Sequence, residues 1–422
     1  MGLKSPIPID QLTLNEPVPY KIEVDRELLA VTKKKLELAR YPEEQSDFGE
    51  DDWSQGAKVS RVKELAQFWK DEYDWEKQAN HLNTIFNHYL VKLAVPGYGH
   101  LVLHYTHTKS PSPTAIPLLF SHGWPGSIIE ATKVLSPLTN PENPSSSSTP
   151  SFHLVAPSIP GFGFSPAPPT SGVGPTIVAR AYKLLMTDVL GYSSFITQGG
   201  DFGSFITRSM ALQYPTVVRA QHLNMFPATR PAVLSAPLAW LRWRFAGLTY
   251  SEWEREALEV REDFEMHGSG YLEQQRTRPQ TLGFGLGDSP VGLLAWFVEK
   301  LHAWMEVREG LSDEEIITLV MMHWIQGATP GLRFYREAFG EMREAERTFE
   351  AYVAVPTGVS MYPKEQLHCP RDWAAQVANI KFWKEHTRGG HFSSLERPDL
   401  FVADLREFVR VPSVEKSIMK AV

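Results

Sequence analysis

The sequence predicts an α/β protein with a mostly parallel sheet and helices on both faces. It also predicts a helical insertion in the sheet domain and a helical N-terminal extension. Three observations support this. Apolar residues recur at helical spacing before residue 100, short apolar runs alternate with helical stretches after it, and the strand pattern stops at 227 and resumes near 352.

These changes of pattern divide the 422 residues into four segments. We expect a helical N-terminal extension over 1–99, the first part of an α/β core over 100–226, a helical cap over 227–350 and the second part of the core over 351–422. The strands are predicted at 101–105, 116–120, 152–156, 194–197, 218–223, 352–355 and 380–384. Residues 400–409 form an amphipathic helix pattern, and the Ser- and Pro-rich stretch 139–150 is predicted to be a surface loop.

The composition excludes several classes of protein. With 42 Lys+Arg against 49 Asp+Glu, the net charge of -7 provides no basic surface for nucleic acid or for anionic lipid. A single cysteine, Cys369, excludes an intrachain disulfide and a cysteine-based zinc cluster, which favours a reducing compartment and hence the cytoplasm. No apolar run approaches the roughly 20 residues of a membrane span, so we expect no membrane anchor.

The strongest motif is Gln-Gly-Gly-Asp-Phe-Gly at 198–203, which lies between a predicted strand and a predicted helix. Glycines at 199 and 203 permit a sharp turn that presents Asp201 at the carboxyl end of the sheet. A serine hydrolase carries Ser at such an elbow, so Asp201 predicts a carboxylate nucleophile, an alkyl ester intermediate and an sp³ carbon electrophile. The same short pattern is also typical of a glycine-rich turn with a helix N-cap aspartate.

A second motif, His-Gly-Trp-Pro-Gly-Ser at 122–127, follows the strand predicted at 116–120. Its position resembles the loop that supplies one oxyanion donor in α/β-hydrolases, the other donor being the residue after the nucleophile. We therefore expect the backbone N–H groups of Trp124 and Phe202 to form an oxyanion hole. An ordinary loop with a buried Trp is the alternative.

The order nucleophile, acid, histidine along the chain predicts a late histidine on a loop after the last strand. His391 follows two glycines there and is the expected general base, whereas His386 ends an apolar run and lacks the glycine pair. Glu365, after the strand near 352–355, is the expected acid. Asp372 is the reserve, because a surface ion pair with its neighbour Arg371 is the ordinary explanation for it.

Taken together, these motifs resemble epoxide hydrolases of the α/β-hydrolase fold. The resemblance is closest to the microsomal-type branch, which has a helical N-terminal extension and whose fungal members lack a membrane anchor. It covers about residues 20–410, and its separated motifs occur in the same order. The matching stretches are 74–75, 82–83, 122–127, 199–203, Tyr271 with 277–282, 288–293, 333–337, 362–367 and 389–392.

The resemblance implies roles for residues that spacing alone does not assign. Tyr271 and Tyr335 match the two cap tyrosines that hydrogen-bond the epoxide oxygen, while Tyr250 has no matching motif. Phenols suit this role because they remain protonated at neutral pH. Either could instead be a core aromatic with a satisfied hydroxyl. Glu365 stands where many soluble members carry Asp.

The expected reaction uses a hydrophobic epoxide and water, releases a vicinal diol and needs no metal or organic cofactor. A homodimer is expected only from the resemblance. The nearest alternative is a haloalkane dehalogenase, which forms the same Asp ester but often has Trp after the nucleophile, where this chain has Phe202. A catalytically inactive ligand-binding relative is the other alternative. A conventional esterase is disfavoured because the elbow lacks Ser or Cys.

Overall fold

A computed structural model of the chain describes residues 11–45, 47, 49, 52–140, 149–306, 310–340 and 343–419. Within these residues one sheet has the strand order β1-β2-β3-β5-β4-β6-β7-β8-β9. Pairing is antiparallel from β1 through β3 to β5 and parallel from β5 to β9. The strands are β1 (Val18–Pro19), β2 (His88–Val95), β3 (Gly99–Thr108), β4 (Ile116–Ser121), β5 (Phe152–Pro157), β6 (Phe195–Gly199), β7 (Val218–Leu223), β8 (Val353–Met361) and β9 (Ala378–Glu385).

Helices cover both faces of the sheet, and the predicted fold class is confirmed. Buried aliphatic side chains such as Leu118, Leu119 and Ile196 make the parallel strands apolar on both sides. The core helices are α4 (Thr132–Thr139), α5 (Pro175–Leu184), α6 (Phe202–Gln213), α16 (Arg371–Val377), α17 (Ser393–Glu396), α18 (Pro398–Val409) and α19 (Pro412–Met419).

Between β7 and β8 the described residues form helices and no strand. These cap helices are α7 (Pro237–Arg244), α8 (Ala246–Thr249), α9 (Glu252–Asp263), α10 (Gly270–Thr277), α11 (Pro279–Asp288), α12 (Pro290–Trp304), α13 (Asp313–Trp324), α14 (Thr329–Phe339) and α15 (Glu344–Glu350). Among the described helices, none is by itself long and apolar enough to cross a membrane. Only α11 and α12 taken together reach that length and apolarity, and they meet at 114°.

The N-terminal helices α1 (Arg26–Glu37), α2 (Val59–Asp71) and α3 (Trp75–Ile85) support the cap. Side-chain caps begin α1 and α3, because Asp25 accepts from Leu28 N–H and Asp74 accepts from Lys77 N–H. The Trp324 indole N–H donates to the Thr32 hydroxyl at 2.7 Å, which joins α13 to α1. The extension therefore contacts the cap helices α12 and α13 directly.

The structure differs from the sequence expectations in three places. Strand β2 lies within the 1–99 segment that was expected to be helical, and the 99/100 boundary cuts the β2–β3 hairpin. The short apolar run in β2 is buried on both faces, and periodicity cannot distinguish such a run from a helix.

Strand β8 extends six residues beyond its predicted end, to Met361. The stretch 356–358 was expected to form a turn, but it continues the strand, and Pro356 lies where the β8–β9 register shifts, a position that tolerates a missing N–H. The third difference concerns the loop predicted over 139–150. Helix α4 reaches Thr139, and residues 141–148 lie outside the described part of the chain.

Candidate active site

Asp201 lies at the sharp turn between β6 and α6. Its φ of 46° is in the left-handed region, which a non-glycine residue rarely adopts. The turn also requires glycine on both sides. A Cβ on Gly199 would lie 2.3 Å from the Gly203 carbonyl oxygen, and a Cβ on Gly203 would lie 1.9 Å from the Ser121 carbonyl oxygen. The local sequence thus forces the Asp201 side chain out at the carboxyl end of the parallel strands.

The loop after β4 holds the Asp201 carboxylate. The Trp124 N–H donates to Asp201 Oδ1 at 2.7 Å, and the Phe202 N–H also hydrogen-bonds this carboxylate. A Cβ on Gly123 would lie 2.3 Å from Asp201 Oδ1, so glycine permits this close approach. Burial raises the pKa of Asp201, although His391 and the two N–H groups oppose the rise. Both expected oxyanion donors therefore point at the expected nucleophile.

The structure brings His391 and Glu365 together beside that carboxylate. His391 Nδ1 lies 2.7 Å from Glu365 Oε2, and His391 Nε2 lies 3.7 Å from Asp201 Oδ2. Burial alone would lower the pKa of His391, but the negative charges of Glu365 and Asp201 outweigh it and raise that pKa to about 9. Glu365 is fully buried, and its pKa is lowered because His391 and the Leu367 N–H outweigh the cost of burial.

Asp372, the reserve acid, and His386, the disfavoured histidine, have other partners. The Tyr250 hydroxyl donates to Asp372 Oδ1 at 3.3 Å, and Arg242 forms an ion pair with Asp372 at 3.3 Å. His386 Nε2 lies 2.5 Å from Asp404 Oδ2 on α18. Neither Asp372 nor His386 therefore belongs to the group around Asp201.

The cap places Tyr271 from α10 and Tyr335 from α14 close to the oxyanion loop. The Tyr271 ring stacks on Trp124 with centroids 5.4 Å apart, and the Tyr335 ring meets Trp124 edge-on at the same distance. Burial is the largest cause that raises the pKa of both phenols well above 10, so both remain protonated. The buried Tyr335 hydroxyl has no hydrogen-bond partner among the described residues.

Three further residues contact the site and were not anticipated from the sequence. The Trp304 carbonyl accepts the His391 N–H at 2.9 Å, and the Asn224 amide donates to the His391 carbonyl at 3.3 Å. Glu130 Oε1 accepts the Gly123 N–H at 3.4 Å. Burial raises the pKa of Glu130 to about 8, and a Cβ on Gly126 would lie 1.6 Å from the Glu130 Oε1. Only Glu130 had a sequence signal, namely its position four residues after Gly126.

The aromatic rings of Trp124, Phe202 and Trp304 enclose the polar group. Phe202 packs on Tyr335 with centroids 4.6 Å apart, and Trp304 lies 5.1 Å from the His391 ring. No cluster of three or more His, Cys, Asp or Glu side chains suited to a metal ion occurs in the part of the chain that the structure describes. The site therefore places a carboxylate, a base and two phenolic donors around one apolar space.

Two family models match the chain. The epoxide hydrolase N-terminal model matches residues 17–131, and the α/β-hydrolase fold model matches residues 116–258. Epoxide hydrolase 1 of Sus scrofa is 34% identical over 416 residues, which cover 93% of this chain and 88% of that protein.

Two solved structures share the whole architecture. The Aspergillus niger epoxide hydrolase is 30% identical with a TM-score of 0.79, and the alignment covers 93% of this chain and 96% of that one. The juvenile hormone epoxide hydrolase of the silkworm Bombyx mori is 25% identical with a TM-score of 0.84, covering 95% of each chain. This similarity along nearly the full length, from the N-terminal extension through the cap, shows that the chain belongs to the epoxide hydrolase family of the α/β-hydrolase fold.

Proposed function

We propose that this epoxide hydrolase opens its substrate by forming an ester on Asp201 and then hydrolyses that ester with water activated by His391. One observation carries the proposal. The Asp201 carboxylate lies between two backbone N–H donors and the His391 imidazole, with two buried phenols above it. This arrangement supplies a nucleophile, a base and proton donors at a single point.

In the first step, Asp201 attacks an epoxide carbon. Trp124 holds Oδ1, which leaves Oδ2 as the attacking oxygen. A new bond forms between Oδ2 and the carbon while the C–O bond of the ring breaks. The departing alkoxide is a poor leaving group, so a proton from Tyr271 or Tyr335 must reach it as the ring opens. The product of this step is a hydroxyalkyl ester.

In the second step, His391 Nε2 takes a proton from water, and the water oxygen attacks the carbonyl carbon of the ester. Negative charge develops on Oδ1, where the Trp124 and Phe202 N–H groups stabilise it. Glu365 orients the imidazole and stabilises its protonated form. Collapse of the tetrahedral intermediate breaks the bond between the carbonyl carbon and the alkyl oxygen, which receives a proton from His391 and leaves as the diol. The second proton of water, left on the Asp201 carboxyl, returns to the tyrosine that lost its proton in the first step, which restores the resting enzyme.

The aromatic lining supports a hydrophobic epoxide as the substrate. Trp124, Phe202 and Trp304 surround the reacting groups, and they are at most 3% exposed. Such side chains bind apolar groups and exclude bulk water, which strengthens the hydrogen bonds at the ester. A phenyl-substituted epoxide is therefore a suitable first substrate for measurement.

The ester mechanism is tested by one turnover in ¹⁸O-water, with enzyme in excess over an aryl epoxide. Attack of water on the ester carbonyl places ¹⁸O in the Asp201 carboxylate and leaves the first diol unlabelled. Peptide mass spectrometry of the segment that contains Asp201 reads the first outcome, and mass spectrometry of the diol reads the second.

Label in the diol and none in Asp201 would mean direct attack of water on the epoxide, and it would overturn the ester mechanism. The Asp201→Ala variant provides the control, because it should form no diol. Absence of diol with the wild-type protein would direct the next measurement to haloalkanes, and then to binding without turnover.

A further inference from the structure

Gln275 lies one helical turn after Tyr271 on α10 and is fully buried. Residues four apart share a face of a helix, so the Gln275 amide points toward the same space as the phenol. The Trp296 indole N–H donates to Gln275 Oε1 at 3.0 Å. Because this bond occupies the carbonyl oxygen, it fixes the direction of the amide and turns the Nε2 group away from Trp296.

The amide nitrogen of Gln275 is a donor without an acceptor in the described part of the chain. Among the described residues, neither Gln275 Nε2 nor the Tyr335 hydroxyl has a hydrogen-bond partner. The two residues lie on packed neighbours, because α10 packs against α14 and the Tyr271 ring, one turn before Gln275, meets the Tyr335 ring edge-on with centroids 5.8 Å apart. Burial is the largest cause that raises the pKa of Tyr335, and the nearby Gln275 amide opposes that rise. A buried donor without a partner destabilises the folded state, and such groups are rare unless a ligand or a charge satisfies them.

The proposed ring opening creates such a charge. As Tyr335 transfers its proton to the epoxide oxygen, its own oxygen becomes negative. An N–H that approaches this oxygen forms a stronger hydrogen bond in the transition state than in the resting enzyme. An interaction of that kind accelerates the chemical step, because it stabilises the transition state more than the ground state.

We propose that Gln275 is a positioning residue for ring opening, whose amide N–H donates to the Tyr335 oxygen while the phenol gives its proton to the epoxide. This inference rests on the proposed function and extends it to a residue that touches neither the substrate nor Asp201. It also assigns Trp296 a supporting role, because the indole N–H orients the amide. Gln275 acts through Tyr335 and not through Tyr271.

A double-mutant experiment tests this pathway. Ester formation and ester hydrolysis are measured separately, by rapid quench and intact-mass analysis with an aryl epoxide. We expect Gln275→Leu to slow ester formation about tenfold, the effect of losing one hydrogen bond to a charged group, while ester hydrolysis changes less than about twofold. In the Tyr335→Phe background, Gln275→Leu should change ester formation less than about twofold.

The Tyr271→Phe background is the matched control, and there Gln275→Leu should keep its full effect. Equal losses in both tyrosine backgrounds, or equal losses in both chemical steps, would show a general packing role and overturn the proposal. Failure of the wild-type protein to form an ester would contradict the proposed function. An ester formed at equal rates by wild type and Gln275→Leu would contradict only the role of Gln275.

A second variant guards against misfolding of Gln275→Leu. Gln275→Met keeps the length and approximate volume of the side chain but has no donor group. We expect it to slow ester formation about as much as Gln275→Leu, with a thermal unfolding midpoint closer to that of the wild type. Wild-type ester formation by Gln275→Met would exclude the donor role.

Discussion

The His391 N–H donates to the Trp304 carbonyl at 2.9 Å, and this hydrogen bond joins the loop of the proposed base to the last residue of cap helix α12. The Trp304 ring also lies 5.1 Å from the His391 ring and 5.3 Å from the Tyr271 ring. The cap therefore positions the base as well as the phenols. Both chemical steps depend on how the cap packs on the sheet domain.

The His391→Gln variant should form the ester and fail to hydrolyse it. Glutamine preserves part of the packing beside Glu365 but cannot accept the proton of water. Intact-mass measurement after exposure to an aryl epoxide should show the protein plus one substrate. Asp201→Ala, treated in the same way, should show no adduct. An unmodified mass for His391→Gln would contradict the assignment of the two steps to two residues.

Replacing either cap phenol should slow ring opening alone. We expect Tyr271→Phe and Tyr335→Phe each to reduce the rate of ester formation by about tenfold or more, since general acid catalysis contributes at least this much. Tyr250→Phe is the matched control, because the Tyr250 hydroxyl contacts Asp372 and Trp373 outside the site. Full rates of ester formation in both Tyr271→Phe and Tyr335→Phe would remove the phenols from the mechanism.

The rate of ester hydrolysis should rise with pH. Burial lowers the pKa of His391, but Glu365 and Asp201 raise it to about 9 in the resting enzyme. Esterification removes the charge of Asp201, so the midpoint for ester decay should lie below 9, and His391 must be neutral to act as a base. Glu365→Gln should move this midpoint further down. Measuring the decay of the ester in single turnovers across pH tests both expected midpoints. A midpoint that rises in Glu365→Gln would contradict the conclusion that Glu365 raises the pKa of His391.

The raised pKa of His391 also predicts how the free energy of unfolding depends on pH. The folded-state pKa of His391 is about 9 and its ordinary value is 6.5, so protonation of His391 stabilises the folded state. This contribution is fully present below pH 6.5 and is lost as the pH rises through about 9. Chemical denaturation midpoints of wild type, compared with those of His391→Gln, should therefore fall more steeply over this interval. Parallel curves would contradict the raised pKa.

Glycine at the elbow should be essential for the fold. A Cβ on Gly203 would lie 1.9 Å from the Ser121 backbone oxygen, so Gly203→Ala should destabilise the protein by about 3 kcal/mol or more. Gly285→Ala in α11 is the control, because no described atom lies within 4 Å of the added methyl group apart from its chain neighbours and the backbone of its own helix. That variant should be stabilised by about 0.5–1 kcal/mol, since Ala favours helix. Equal unfolding free energies for the two variants would disprove the steric argument.

Much of the sheet domain could be predicted because its signals are local. The glycines around Asp201 and the pair before His391 mark turns that any fold would need at those points. Strand β2 and the second half of β8 could not be predicted in this way. Their apolar or proline-containing stretches are compatible with other local structures, and pairing with β3 and β9 decides between them.

The sequence by itself determined the order of the chemical groups along the chain and the sharp turns that expose Asp201 and His391, because turn geometry depends on residues close in sequence. Only the tertiary structure decided that the Trp304 carbonyl holds His391 and that the Trp296 indole N–H binds the Gln275 amide. These contacts join helices of the cap to one another and to the sheet domain. Their formation depends on how whole helices pack, and neither a motif nor a periodicity encodes that packing locally.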